Sequence, residues 1–230
     1  MRKTLLIFSL IAAFSLGAHA QQRNFRIGAK IGPTFDWASA GSVNTENKGV
    51  KLGFNVGLVA DYYFSEHFGI SSGADLDLLR MKYQFTDHRY VEGFLNEVDV
   101  PVTRQLRATV VEIPLKAKAR FDMMESLKGY VEIGAGLGIN CKDMGKDSYE
   151  YYWVESEGKN YEDCTNYYRP LQFSMVFGLG AEYEINNNIG AFAQLSFHHA
   201  FSNAFAGWKQ KETGVILRNN FIGVEVGIVH

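Results

Sequence analysis

Asp75 and Asp77 are the first residues of the chain whose types and spacing point to chemistry. Two residues apart, their carboxyls leave the same face of an extended strand. Such a pair can share a proton or hold a cation. The competing expectation is that Lys or Arg from neighbouring strands neutralises them, since bare charges on an enclosed face are costly. His198 and His199 stand just before Ser202, a base close to a potential nucleophile. The three-residue step from His199 to Ser202 sends the two side chains to opposite faces of a strand. Glu212 is only a remote candidate to orient an imidazole. Cys141 and Cys164 flank the stretch 140–170. In an oxidising compartment they are expected to close a loop of about 24 residues as a disulfide, with two free thiols as the alternative. His67, His88, His198 and His199 follow no metal-ligand spacing. No catalytic residue, metal or cofactor is therefore expected.

What must position these residues is an exported β-protein. Arg2 and Lys3 precede a continuous apolar run from Leu5 to Leu16. Gly17-Ala18-His19-Ala20 follows, with Ala18 and Ala20 at the −3 and −1 positions of a cleavage site. Those are the three parts of a secretory signal peptide. The run is too short to cross a hydrocarbon core of roughly 30 Å. Residues 1–20 are read as a cleaved signal and residues 21–230 as one domain. Without Arg2 and Lys3, 21 of the 23 basic residues remain against 25 acidic ones. That balance offers nothing to nucleic acid. A mean hydropathy of −0.13 argues against a bundle of transmembrane helices. It leaves a membrane barrel open, because barrel strands meet lipid only every second residue.

Alternation by two recurs along the chain. It predicts strands near residues 25–35, 50–64, 68–83, 104–121, 129–139, 171–185, 189–201 and 218–230. In the fourth, Val111, Ile113, Leu115, Ala117 and Ala119 alternate with Glu112, Lys116, Lys118 and Arg120. Glycine decides which face is inside. Fourteen of the 23 glycines, Gly57, Gly134 and Gly178 among them, fall on the polar parity. A solvated surface gains nothing from them, whereas the lumen of a small barrel needs small residues beside a few large paired ones. Charged residues of both signs on that parity would then pair across the lumen. Connections of about 14, 3, 20, 7, 31, 3 and 16 residues alternate long and short, as in outer-membrane barrels. Phe25, Tyr62, Phe64, Phe68, Phe121 and Tyr183 share the apolar parity and the short-turn end of their strands, which predicts an aromatic ring at one membrane boundary. The expected fold is all-β: an eight-stranded antiparallel up-and-down transmembrane β-barrel with short periplasmic turns and long extracellular loops.

The chain resembles the PorT-like outer-membrane β-barrel family of Bacteroidetes-type bacteria. The likeness is carried by Val111-Glu112-Ile113-Pro114-Leu115-Lys116, by the glycine-rich Val131–Gly138 and by Phe177-Gly178-Leu179-Gly180-Ala181-Glu182-Tyr183. The Ile222–Ile228 ending completes it. It spans essentially the whole mature chain. It implies a small eight-stranded barrel in the outer membrane, and some relatives are associated with protein secretion. No functional residue travels with these motifs. The chain departs from the usual terminal aromatic by ending Ile228-Val229-His230, with His230 on the lipid-facing parity. The His199–Ala204 stretch is similar to the His-x-Ser-Asn-Ala element of outer-membrane lipid A deacylases, at a different spacing.

These readings predict a non-enzymatic, monomeric protein with a filled lumen and no open pore. Its role is structural or interactive, through external loops. Two alternatives are an accessory of secretion or transport and a lipid-modifying enzyme using His198 or His199 with Ser202. The expected partners are outer-membrane lipid, the barrel-insertion machinery during biogenesis and an extracellular or periplasmic protein, with no nucleic acid. The stretch 140–170 holds Tyr149, Tyr151, Tyr152, Trp153, Tyr161, Tyr167 and Tyr168 among acidic residues. Such a loop suits recognition, and equally reads as a hydrated loop without a partner.

Overall fold

The computed structural model of the chain describes residues 24–41, 45–91, 93, 95–151, 154–158, 160–186, 188–206 and 216–230. The expected cleavage site at Ala18 and Ala20, together with Tyr152, Trp153 and Glu212, lies outside the described residues. The strands are β1 (Phe25–Ala40), β2 (Thr45–Asn47), β3 (Lys51–Tyr63), β4 (Phe68–Arg89), β5 (Val98–Met124) and β6 (Leu127–Tyr151). They continue with β7 (Val154–Glu157), β8 (Glu162–Asp163), β9 (Leu171–Glu184), β10 (Gly190–Ala200) and β11 (Leu217–Val229).

Eight of these strands hydrogen-bond in antiparallel order as a ring, β1-β3-β4-β5-β6-β9-β10-β11. β1 closes it on β11, from Gly28 opposite Val229 to Ala40 opposite Leu217. Closure removes the open edges that hydrocarbon could not satisfy. The apolar parity faces outward: Ile31, Leu58, Leu115, Ile133, Phe177, Leu195 and Val226 are all exposed. All six aromatics predicted for one boundary lie outward at the short-turn end, none less than 46% exposed. The glycines line the interior, where the wall leaves no room for a side chain. A Cβ on Gly134 would lie 2.0 Å from the Leu115 carbonyl oxygen, and one on Gly32 would lie 2.1 Å from that of Val224.

The connections expected over residues 84–103 and 140–170 are corrected by the structure. β4 runs on to Arg89, β5 starts at Val98 and β6 continues to Tyr151. Most of the length assigned to loops is strand standing above the membrane. In these extensions the hydrophobic parity reverses. On β4, Leu76 and Leu78 face outward, while Leu79, Met81, Tyr83 and Phe85 face inward and are buried. On β5, Val111 and Ile113 point outward, but Val100, Val102, Leu106, Ala108 and Val110 point inward. Lipid rewards apolar atoms outside and water rewards them inside, so the reversal marks the upper edge of the lipid belt. On β6 that edge is followed by a bulge. Thr109 faces Lys142 and Val110 faces Asn140, leaving Cys141 unpaired. The extra residue shifts β6 so that Asp143 and Gly145, rather than Lys142 and Met144, face in.

Candidate functional site

Two stacked compartments fill the barrel, a charged plug within the lipid belt and an apolar cap above it. The glycines leave space that long charged side chains occupy from opposite walls. Near the short-turn end Arg26 pairs with Glu182. Lys118 reaches Asp61 at 2.7 Å and Glu132 at 3.2 Å, and Lys116 also pairs with Glu132. The Lys118 ammonium lies 4.1 Å from the Tyr130 ring centroid, and the Tyr130 hydroxyl donates to Gln194 Oε1 at 2.9 Å. Higher up, Lys30 sits 3.0 Å from Asp75 and 3.2 Å from Glu225. Asn55 donates to Asp77 at 2.6 Å. Neutralisation by a neighbouring lysine is thus met at Asp75 alone, and Asp77 has an amide in place of a cation as its partner.

The residues named for nucleophilic chemistry do not converge. His198 points into the lumen, stacked on Phe221 at 4.0 Å, with Nδ1 3.0 Å from Glu112 Oε1. Ser174 donates to the other oxygen of Glu112 at 2.7 Å. His199 points to the other face and meets Asn220 at 2.6 Å. Ser202 accepts the Phe173 N–H at 3.0 Å. His198 is directed to Glu112, His199 to Asn220 and the Ser202 hydroxyl to a backbone N–H, so neither imidazole is paired with Ser202. The cavity beside His198, lined by Asp77, Glu112 and Phe221, measures about 20 Å³. That is room for one water molecule and no lipid. Among the described residues no cluster of His, Cys, Asp and Glu suits a metal.

Above the plug the inverted parity gives a dry cluster. Tyr83, Phe85, Val100, Val102, Leu106, Tyr168, Phe205 and Leu217 pack together. Phe205 stacks on Tyr168 with centroids 5.1 Å apart and lies edge-on to Tyr83 at 6.3 Å. The segment around Tyr168 is tied to the one around Phe205 by Arg169 N–H to the Ala204 carbonyl and Ala206 N–H to the Tyr167 carbonyl, both within 2.8 Å. Arg104 runs beneath this lid. Its guanidinium makes a two-pronged contact with Asp147 at 2.6 and 2.8 Å and lies 5.1 Å from the Phe85 ring. Sequence reading missed Arg104 and the lid, because Arg104 occupies an inward position among Val, Leu and Ala.

The bridge expected between Cys141 and Cys164 is absent, and both thiols are free. The bulge turns Cys141 outward while Cys164 is buried in the cap beside Gly145 and Arg104. Burial pushes the Cys164 thiol up to about 12, so it stays protonated and unreactive. In the folded protein a maleimide is expected to label Cys141 alone, with Cys164 joining only after denaturation. Equal labelling without denaturant would overturn this assignment. Asp143 stands four residues beyond Ile139, the last lipid-facing residue of β6, and burial raises its carboxyl to about 7. Its folded value exceeds the ordinary one of 3.8, so the native cap binds the extra proton. That contribution is full below the ordinary value and is lost as pH rises through about 7. Amide exchange in residues 140–147 should therefore be slower at pH 5.5 than at pH 8, relative to the intrinsic rates. Asp143→Asn should flatten the difference.

A closed ring of eight antiparallel strands, apolar outside and filled with paired charges, is a transmembrane β-barrel of the outer membrane. The chain belongs to the outer membrane protein beta-barrel domain family, whose model matches residues 19–206. Solved structures similar to it include Neisserial surface protein A, 14% identical over 89% of this chain and 95% of that one, with a TM-score of 0.43. OprG of Pseudomonas aeruginosa is 10% identical over 91% and 97% of the two chains, with a TM-score of 0.40. Ail, the attachment invasion locus protein of Yersinia pestis, is 13% identical over 90% and 99%, with a TM-score of 0.37. No curated protein sequence matches this chain.

Proposed function

We propose that this outer-membrane barrel is a non-enzymatic interaction protein of the PorT-like kind, with a plugged lumen and a rigid external cap as its working surface. One observation carries the reading: the hydrophobic parity inverts above the lipid belt, which builds the extensions of β4, β5 and β6 into a packed body. A preorganised surface loses less ordering entropy on binding than flexible loops do. At its tip Tyr90 and Leu95 are 71% and 97% exposed, an arrangement suited to contact with a partner outside the cell. The plug of paired charges supports the other half of the proposal, a protein that conducts nothing.

Planar-bilayer recording of the refolded chain should show no steady conductance, and discrete ohmic steps would sink the plugged-lumen reading. A photoreactive residue at position 95 in whole cells tests the interaction. It should yield one discrete protein adduct, absent when the probe sits at lipid-facing Leu195. A pattern common to both positions would remove the cap's role.

A further inference from the structure

We infer that the outward face of β4, β5 and β6, just above the lipid belt, docks the phosphate groups of an outer-leaflet glycolipid. The strand register assembles the site. Arg80 lies directly opposite Arg107, Lys82 opposite Gln105, and Leu78 opposite Thr109. On the next strand Gln105 faces Lys146 and Thr109 faces Lys142. The Lys48 N–H bonds the Lys82 carbonyl, which brings Lys48 alongside. With strands about 4.8 Å apart and same-face residues roughly 6.7 Å apart along them, Arg80, Lys82, Arg107, Lys142 and Lys146 share a patch of roughly 10 by 14 Å.

The local acids neutralise it only in part, Asp163 of β8, opposite Met144, interacting electrostatically with Lys142. Glu46 holds Lys48 at 2.6 Å and Glu157 holds Lys146 at 2.7 Å. Among the described residues no carboxylate forms an ion pair with Arg80, Lys82, Arg107 or Lys142. The Arg107 guanidinium is braced over the Tyr161 ring at 3.9 Å. Like charges directly opposite on a sheet repel, and an anion between Arg80 and Arg107 converts that repulsion into attraction. The planar fork of arginine fits phosphate oxygens two at a time.

Position selects the source of the phosphate. Leu76, Leu78, Ile113 and Ile139 lie immediately below the patch, exposed and lipid-facing. A phosphate carried on acyl chains can fill both zones at once, with chains on the leucines and headgroup on the cations. Among the described residues the rest of the barrel lacks this combination. At the short-turn boundary the outward positions carry Phe68, Phe121 and Tyr183. Across the barrel at the external boundary they carry Trp37 stacked on Phe197. The inference rests on the orientation of the barrel and not on the role proposed for the cap.

The test uses the full chain in phosphatidylcholine nanodiscs, titrated with fluorescent bisphosphorylated lipid A at 150 mM salt. Wild type should bind it at least tenfold more tightly than dephosphorylated lipid A, and inorganic phosphate at equal concentration should not compete. R80Q/K82Q/R107Q/K142Q should lose at least tenfold, while Arg218→Gln binds like wild type. Retained heat modifiability on gels shows that the variants are folded. If the quadruple variant does not fold, the two lipids on wild type decide the question. Equal affinity for them, or an unchanged quadruple variant, overturns the site. Competition by free phosphate overturns its assignment to lipid.

Discussion

Lys30→Met should destabilise the barrel by about 3–5 kcal/mol, the cost of stranding buried partner charges. Lys30 is 4% exposed, and its partners Asp75 and Glu225 are 1% and 0% exposed. No other cation lies within 4.0 Å of either carboxylate among the described residues. Gly57 leaves them their space: a Cβ there would fall 1.9 Å from Asp75 Oδ1 and 2.9 Å from Lys30 Cε. The measurement is the urea midpoint of the folded, fast-migrating band in detergent. Adding Asp75→Asn and Glu225→Gln to Lys30→Met should restore most of the loss, since removing all three charges leaves none stranded. A loss under about 1 kcal/mol for Lys30→Met alone would mean that water reaches the plug and screens it, against a filled lumen.

Phe205→Ala should loosen the cap by about 3–5 kcal/mol and leave the membrane belt folded. Phe205 is fully buried and touches Tyr83, Phe85 and Tyr168. The expected signature is local: faster amide exchange in the upper halves of β4 and β5, and protease cuts between Arg89 and Val98, with unchanged heat modifiability. Cap and plug share strands but no core, because the buried apolar cluster lies entirely beyond Leu78 on β4 and includes no belt residue of β5 below Val110. Loss of the whole barrel would contradict that separation. An unchanged exchange pattern would deny the lid its role.

Eight strands, their inside and outside, the lumen glycines and the short-turn aromatic ring were all legible in the sequence, because lipid imposes a period of two that few residues violate. The cap was hidden by the same signal. Alternation loses phase at the doublets Leu78-Leu79 and Val110-Val111, and on β6 the bulge at Cys141 breaks it outright. A reader of one phase ends the strand there and assigns a loop. The doublets were the available clue: adjacent apolar residues in an alternating strand mark a change of solvent rather than an end of structure. The thiols were misjudged for a related reason. Two cysteines flanking one loop in an oxidising compartment suggested a bridge, but the bulge aims Cys141 away from the interior that holds Cys164. Arg104 and Asp147 lie 43 positions apart, and only the register of β5 with β6 brings them together.

The inverted parity also gives the molecule a waterline. Sinking by one same-face step on strands tilted about 40° moves it roughly 5 Å along the bilayer normal. That displacement would carry Arg80, Arg107 and Lys142 into the edge of the hydrocarbon, at up to about 1 kcal/mol for each cation, a cost that climbs toward about 2–4 kcal/mol at the midplane. Rising by the same step would lift Leu76, Leu78 and Ile113 into water and pull the aromatic ring out of the opposite interface. Both displacements are uphill, so the barrel floats at one draught. A thicker or thinner bilayer must bend to meet it, and the cap keeps a constant height above the cell surface whatever the lipid beneath.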